Sequence, residues 1–298
     1  MMKAIVTGGA GFIGSNLVNK LIEFGYEVVI IDNLSTGFKN NVNPKATLHI
    51  LDISKHKNQI ERIMVGADIV FHLAALARVQ PSIKDPLKFN EHNITGTLNV
   101  LFAAYKAGVK RVVYSASSSA YGNTKILPTP ENAPTNPLSP YGLQKYVGEQ
   151  YCKMFSEVYG LDTVSLRYFN VYGEQMNFTG AYKTVIAVFI EQMKKGEKLN
   201  IVNDGNQKRD FTYVGDVVKA NILAATNHEN FNGEVYNVGN GKNFSVNEVA
   251  DMFNGEKKYG EKRIEPFETL ADNQKIKSLG WKPTGNLSKW IKNYIKNV

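Results

Sequence analysis

Apolar residues in the first half of the chain come in short, nearly continuous runs. They are KAIVT at 3–7, EVVIID at 27–32, TLHIL at 47–51, DIVFHL at 68–73, RVVYSAS at 111–117 and TVSLRYF at 163–169. Between them the apolar positions switch to helical spacing, at 15–24, 86–107 and 141–159. Strands apolar on both faces and separated by helices predict a doubly wound parallel sheet, covered on each side. Right-handed crossovers gather the strand C-termini on one edge, where such sheets take ligands. After residue 172 the alternation loosens. A polar stretch, GEQMNFTGAY, leads into a helix through Gln192, and short strands, turns (NDGNQ, GNGK) and helices follow. The expectation is a Rossmann-like domain over 1–172, to which 210–240 returns. Residues 173–209 and 241–298 form a smaller C-terminal substrate-binding lobe on the ligand edge.

The first strand runs into four closely spaced glycines, TGGAGFIG, and then a helix. Gly9, Gly11 and Gly14 give one dinucleotide-binding spacing, and Gly8, Gly11 and Gly14 give another. Glycines there allow a sharp turn, close approach of a pyrophosphate and tight helix–strand packing. The spacing alone is a weak signal, and its place between strand and helix strengthens it. Asp32 ends the next strand, where a carboxylate accepts hydrogen bonds from an adenosine ribose and repels a 2′-phosphate, favouring NAD over NADP. The plainer reading of Asp32 is a turn former in DNLSTG. Asp52, after the third strand, either meets adenine or caps the following turn.

Two Tyr-x-x-x-Lys pairs occur. Tyr121 and Lys125 span a Gly-Asn turn, which breaks helical spacing. Tyr141 and Lys145 follow SP, a helix-start signal, and so share one helix face. A free tyrosine, with a pKa near 10, is a poor base at neutral pH. A cation held close by, together with a positively charged nicotinamide, lowers that pKa. The serine-rich strand end YSASSSAYG reaches the same edge, where its hydroxyls bond either a sugar hydroxyl and the tyrosine or the backbone.

Bulk properties narrow the field without choosing the reaction. The 298 residues carry a net charge of +8, spread along the chain with no nucleic-acid-binding signature. No apolar run is long enough to span a bilayer. A lone cysteine, Cys152, rules out an internal disulfide and a cysteine-held metal, so no metal is expected. The expectation is a cytoplasmic protein that engages neither nucleic acid nor membrane.

Taken together, TGGAGFIGSNLV, DNLSTG, HLAALARV, NITGTLNVL, SSSAYG, SPYGLQK, RYFNVYG, RDFTYVGDV, YNVGNG and LGWKP carry a resemblance that runs nearly end to end. The chain resembles the extended short-chain dehydrogenase/reductases, and within them the UDP-sugar 4-epimerases of the UDP-glucose and UDP-N-acetylglucosamine type. The resemblance implies that Gly8, Gly11 and Gly14 form the pyrophosphate turn and that Asp32 and Asn33 hold the adenosine ribose. Lys145 binds the nicotinamide ribose, and Phe12, Ile13, Asp52, Ile53, Leu73, Ala74, Ala75, Asn93, Tyr141 and Tyr168 complete the NAD contacts. It makes Tyr141 the catalytic base beside Ser117. A UDP-sugar would meet Ser117, Ser118, Ser119, Tyr141, Asn170, Arg209, Arg263 and Thr269. For Arg209 the competing reading is an ion pair with Asp210 or Asp216.

Related dehydratases and decarboxylases carry an acidic residue just after the catalytic hydroxyl, where this chain has Ser118 and Ser119. The resemblance therefore favours C4 oxidation and re-reduction without net use of NAD. The small Thr269 admits N-acetylated as well as plain hexoses. Departures around RIEPFETLAD, and Ala187 where a proline is common, leave the nucleotide open among UDP, dTDP, GDP and CDP. A homodimer through the helices at 86–107 and 141–159 is implied. The competing readings are a decarboxylase, 4,6-dehydratase or ketoreductase on the same scaffold, and a non-catalytic NAD-binding regulator.

Overall fold

Side chains alternate between the two faces of the central strands, and burial on both faces builds the centre of the molecule. Ala4 and Val6 face one side of β1 (Lys3–Thr7) and Ile5 the other, and all three are fully buried. The structure, a computed structural model, describes residues 1–178, 183–260 and 265–297. The remaining apolar runs become β2 (Glu27–Asp32), β3 (Thr47–Ile50), β4 (Ile69–His72), β5 (Arg111–Ser117) and β6 (Asp162–Tyr168). Short strands follow: β7 (Val171–Tyr172), β8 (Leu199–Ile201), β9 (Lys208–Asp210), β10 (Thr212–Tyr213), β11 (Glu234–Val238), β12 (Asn243–Ser245) and β13 (Lys257–Tyr259). Seven of these form one parallel sheet in the order β11-β6-β5-β4-β1-β2-β3. The strand order reverses between β1 and β4, which opens a crevice at their C-terminal ends.

Helices cover both faces. The first six are α1 (Phe12–Glu23), α2 (Lys57–Met64), α3 (Val79–Lys84), α4 (Pro86–Asn90), α5 (Gly96–Lys106) and α6 (Pro140–Tyr159). The later ones are α7 (Val185–Lys194), α8 (Val214–Thr226), α9 (Val246–Met252), α10 (Gln274–Ser278) and α11 (Leu287–Lys296). Leu17 and Leu21 of α1 and Val217 and Ala224 of α8 pack on the Ala4/Val6 face. Ile60, Leu101 and Phe155, from α2, α5 and α6, pack on the Ile5 face. A separate apolar cluster, including Ile186, Phe189, Leu199, Val249 and Ile291, holds the smaller lobe together. Among the described residues no helix is long and apolar enough to cross a membrane.

Two expectations change in detail. Of segment 210–240, only β11 joins the main sheet. Asp210 ends β9, paired antiparallel with β12, and Thr212–Tyr213 pairs with β7. The reason is local: Val214, Val217, Val218 and Ala224 repeat at helical spacing, so α8 begins before a sheet-length strand can form. The helix expected over 86–107 is interrupted at Glu91–Thr95 by a π-helical turn. The wider turn aims Asn93 inward, where it bonds Leu76 and Gln144.

The start of α6 sets the position of the chemistry. Ser139 caps it, its Oγ accepting the Gly142 N–H at 3.1 Å, and Pro140 fills the first turn. A Cβ on Gly148 would strike the Tyr114 ring, so the glycine lets α6 lie close on β5. Ser139→Ala is expected to cost about 1 kcal/mol, lowering Tm by about 2 °C in a thermal melt.

Candidate active site

A cavity of about 560 Å³ runs along the sheet's C-terminal edge at the β1/β4 reversal, within the size range of small-molecule sites. One end is the glycine turn. Gly8 adopts φ 74°, and a Cβ there would sit 2.7 Å from the Ala74 nitrogen. A Cβ on Gly14 would collide with the Gly8 carbonyl, whereas Gly9 packs against the Ile30 side chain. A Cβ on Gly8 or Gly14 thus meets main-chain atoms, one on Gly9 meets the Ile30 side chain at 2.8 Å, and one on Gly11 would lie 3.2 Å from the Gly8 carbonyl oxygen. Gly11 begins α1 without a side-chain cap, so the first helical N–H groups lie open toward the cavity beside Phe12 and Ile13.

Asp32 joins the end of β2 to this turn. Its carboxylate accepts the Ala10 N–H at 3.0 Å and the Leu34 N–H at 2.8 Å. Burial raises its pKa, and those two N–H donors oppose the rise. Asn33, Ile53, Leu73, Ala74, Ala75 and Tyr168 also line the wall. Asp52 and Asn93 stand behind it. Asp52 accepts from Asn33 Nδ2 at 3.1 Å and so orients a wall residue. Asn93 is buried, its amide spent on Leu76 and Gln144.

Ser117 ends β5, and α6 brings Tyr141 and Lys145 to the same wall. Burial holds the Tyr141 phenol above the ordinary tyrosine value, against the opposing pull of a hydrogen bond with Ser117 and the charge of Arg78. Lys145 is buried, its Nζ donating to the Ser115 carbonyl at 2.6 Å and lying 4.8 Å from the centre of the Tyr114 ring. Desolvation lowers the Lys145 pKa to about 8, with the carboxylate of Glu149 opposing it. Ser118 and Ser119 continue the wall, and Ser117 Oγ lies 3.1 Å from Ser119 Oγ. Tyr121 donates its hydroxyl hydrogen to Asn237 Oδ1 at 2.7 Å, and the short helical turn that carries it ends at Gly122.

The far end of the cavity belongs to the smaller lobe. Asn170, with φ 25°, donates to the Asp210 carbonyl at 3.2 Å and to Thr269 Oγ1 at 3.3 Å. Arg209 pairs with Glu265 at 2.6 Å, rather than with Asp210 or Asp216. The Asp210 carboxylate instead accepts backbone N–H groups of Asn240, Gly241 and Ala271. Asp216 accepts those of Thr284 and Gly285. Arg263 lies outside the described residues. Arg78, Asn177, Lys183 and Glu265 also line the cavity and were not anticipated. Arg78 had a visible signal: it follows β4 on the ligand edge.

The model of the NAD dependent epimerase/dehydratase family matches residues 4–239. A Methanocaldococcus jannaschii protein, provisionally named a UDP-glucose 4-epimerase, is 45% identical, with 98% of each chain covered. The Thermotoga maritima UDP-glucose 4-epimerase structure with UDP-glucose is 39% identical, with a TM-score of 0.94 and 99% of each chain covered. A Methanobrevibacter ruminantium UDP-N-acetylglucosamine 4-epimerase, in complex with UDP-N-acetylmuramic acid, is 37% identical with a TM-score of 0.91. That match covers 100% of this chain and 99% of the other.

Proposed function

The chain belongs to the NAD-dependent epimerase/dehydratase family, and we propose that it is an enzyme that inverts C4 of a UDP-hexose with NAD as cofactor. The observation that carries this reading is the meeting of Ser117, Tyr141 and Lys145 beside the glycine turn, with only hydroxyls at the two positions after Ser117. The residues fit NAD. A Cβ would fill the Gly8 cradle, the N-terminus of α1 is uncapped, and the carboxylate of Asp32 stands at the end of β2.

Residues 1–172 and 210–240 hold the cofactor in this reading, and 173–209 with 241–298 hold the nucleotide sugar. Tyr141 takes the C4 hydroxyl proton, with Ser117 as the relaying hydrogen-bond partner. Lys145, charged at neutral pH, fixes the nicotinamide ribose. NAD, when bound, would supply the hydride chemistry at C4. Asn170 and Arg209 hold the diphosphate while the 4-keto sugar turns over. Tyr141 then returns the proton on the product side, so the protonation state of the chain is restored.

The small side chain of Thr269 supports acceptance of UDP-GlcNAc and UDP-GalNAc alongside UDP-Glc and UDP-Gal. Thr269→Tyr is expected to crowd out the N-acetyl group, an overpacking penalty of about 1–3 kcal/mol. Turnover of UDP-GlcNAc would fall about tenfold or more relative to UDP-Glc, measured on both substrates side by side. A cytoplasmic location, where NAD is supplied, and a homodimer through the helical segment 86–107 and through α6 complete the reading. The exposed Leu143 and Val158 on α6 support the dimer.

The test is incubation of the enzyme with each UDP-hexose. An isomeric product with no net change in NADH supports the epimerase. Carbon dioxide from a UDP-uronate, a 4-keto-6-deoxy product or stoichiometric NADH consumption would replace it with the corresponding decarboxylase, dehydratase or ketoreductase.

A further inference from the structure

His92 lines the cavity together with Asp32, Asn33 and Ile53, at the end that takes the adenosine half of the cofactor. It belongs to the π-helical turn Glu91–Thr95, whose next residue, Asn93, is bonded to Leu76 and Gln144. Neighbouring residues of one turn thus serve two loops, Asn93 the loop after β4 and His92 the loop after β3. The His92 ring is held at both nitrogens. Nδ1 donates to the Lys88 carbonyl of α4 at 2.9 Å, and Nε2 lies 3.3 Å from Asp52 Oδ2. Both partners are acceptors, so a ring protonated on both nitrogens satisfies them. The side chains of His92 and Asp52 are 13% and 15% exposed, so solvent screens this contact less than it does an ion pair on the surface.

Asp52 is the node of the arrangement. Its Oδ1 accepts the Ser54 N–H at 2.9 Å and the Ser54 hydroxyl at 2.7 Å. Its Oδ2 is shared between His92 and Asn33 Nδ2, the latter at 3.1 Å. Against the pull of burial, the hydrogen bonds from Ser54 and Asn33 and the charge of His92 hold this carboxyl below the ordinary carboxylate value. Asn33 Oδ1 in turn accepts the Ser35 N–H at 3.0 Å. Ile53 is fixed from α5, where Asn99 donates to its carbonyl at 2.9 Å. The loops after β2 and β3 and the turn before α5 are thereby stitched around one carboxylate.

We propose that His92 is a positioning residue for the adenosine half of the cofactor, holding the Asp52–Asn33 pair so that the wall keeps its shape around adenine and ribose. Without the imidazole, Asp52 Oδ2 is left with Asn33, and the asparagine amide moves with it. The other ties from this loop to the turn, Ser54 Oγ to Glu91 at 3.3 Å and Lys55 Nζ to Glu91 at 3.9 Å, are exposed and weaker. The inference rests on the NAD-dependent reading, in which one cofactor stays bound through oxidation and re-reduction of the sugar. Contacts far from C4 serve that retention.

The experiment titrates the full-length protein calorimetrically with NAD, with UDP, and with ADP-ribose, which carries the adenosine half without nicotinamide. In His92→Ala the Kd values for NAD and ADP-ribose are expected to rise together by about tenfold, the worth of a charge-assisted hydrogen bond. The Kd for UDP stays within about twofold of wild type. His92→Phe, which keeps a ring and loses both nitrogens, follows the Ala variant. His92→Lys, which keeps a cation opposite Asp52, recovers most of the affinity. In an Asp52→Asn background, His92→Ala costs less than about twofold more, because its effect passes through Asp52. Unchanged ADP-ribose binding in His92→Ala would overturn the proposal. So would wild-type affinity in the Phe variant, which makes the ring a packing group, or independent losses in the double variant, which detach His92 from Asp52. Equal losses for UDP and ADP-ribose mark a general loosening of the fold and overturn it too. A wild-type protein that binds neither NAD nor ADP-ribose overturns the cofactor reading and this inference together. The expected losses in a protein that epimerises nothing support the inference and remove only the reaction.

Discussion

Tyr141→Phe is expected to lower kcat by about 10²–10⁴-fold, the usual worth of a positioned acid–base group, while leaving fold and NAD affinity near wild type. The substitution removes one oxygen. The Tyr141 N–H still reaches Ser82 Oγ, the Ser139 cap still closes the first turn of α6, and Lys145 still lies against β5. The glycine turn and Asp32 are untouched, so the cofactor keeps its contacts. What disappears is the only group of the Ser117–Tyr141–Lys145 set that can take the C4 proton at neutral pH. Ser117 has too high a pKa to act as a base unaided, and the Lys145 ammonium holds its proton. Steady-state rates on UDP-Glc, NAD binding by calorimetry and a thermal melt together check the prediction. Full activity in a folded, NAD-binding variant would remove Tyr141 from the chemistry.

Much of this site was legible in the sequence because its parts rest on local rules. Apolar runs place each strand, and the edge follows from crossover handedness. The pair Tyr141 and Lys145 follows from Ser139-Pro140 and helical spacing alone. Parts that depend on tertiary contact were not legible. The π-helical turn at Glu91–Thr95 has no sequence signature, yet it aims Asn93 at Leu76 rather than at the cavity. Asp52 reads either as an adenine contact or as a cap of the following turn, and its Oδ1 accepts the Ser54 N–H at 2.9 Å while its Oδ2 accepts from Asn33. Arg209 was weighed against the nearest acids in sequence, and its partner Glu265 comes from a distant segment.

Gly8→Ala is expected to damage stability and cofactor binding together, and comparison with Gly11→Ala separates the two. At Gly8 the backbone is left-handed, φ 74°, a cost of about 1–2 kcal/mol for an alanine. Its Cβ would also lie 2.7 Å from the Ala74 nitrogen and 2.9 Å from the Leu73 carbonyl carbon. These are main-chain atoms at the end of β4, which cannot swing aside without moving the sheet edge. A further penalty of about 1–3 kcal/mol follows from that overpacking, and Tm should fall by about 5 °C. Displacing Leu73 and Ala74 also shifts wall residues of the cavity, so NAD affinity drops with stability.

At Gly11 the backbone is ordinary, φ −82°, and the nearest contact of a new Cβ is the Gly8 carbonyl oxygen at 3.2 Å. Gly11→Ala should therefore leave Tm within about 1 °C. It should still cost about tenfold or more in NAD affinity, because the methyl group stands at the open N-terminus of α1 where the pyrophosphate must approach. Calorimetric NAD titration and a melt of the apo-protein read the two effects independently. An unchanged Tm in Gly8→Ala would show that the edge of β4 yields, and undiminished NAD binding in Gly11→Ala would move the pyrophosphate away from α1. The glycines at 8 and 11 thus answer different demands, one from the fold and one from the ligand.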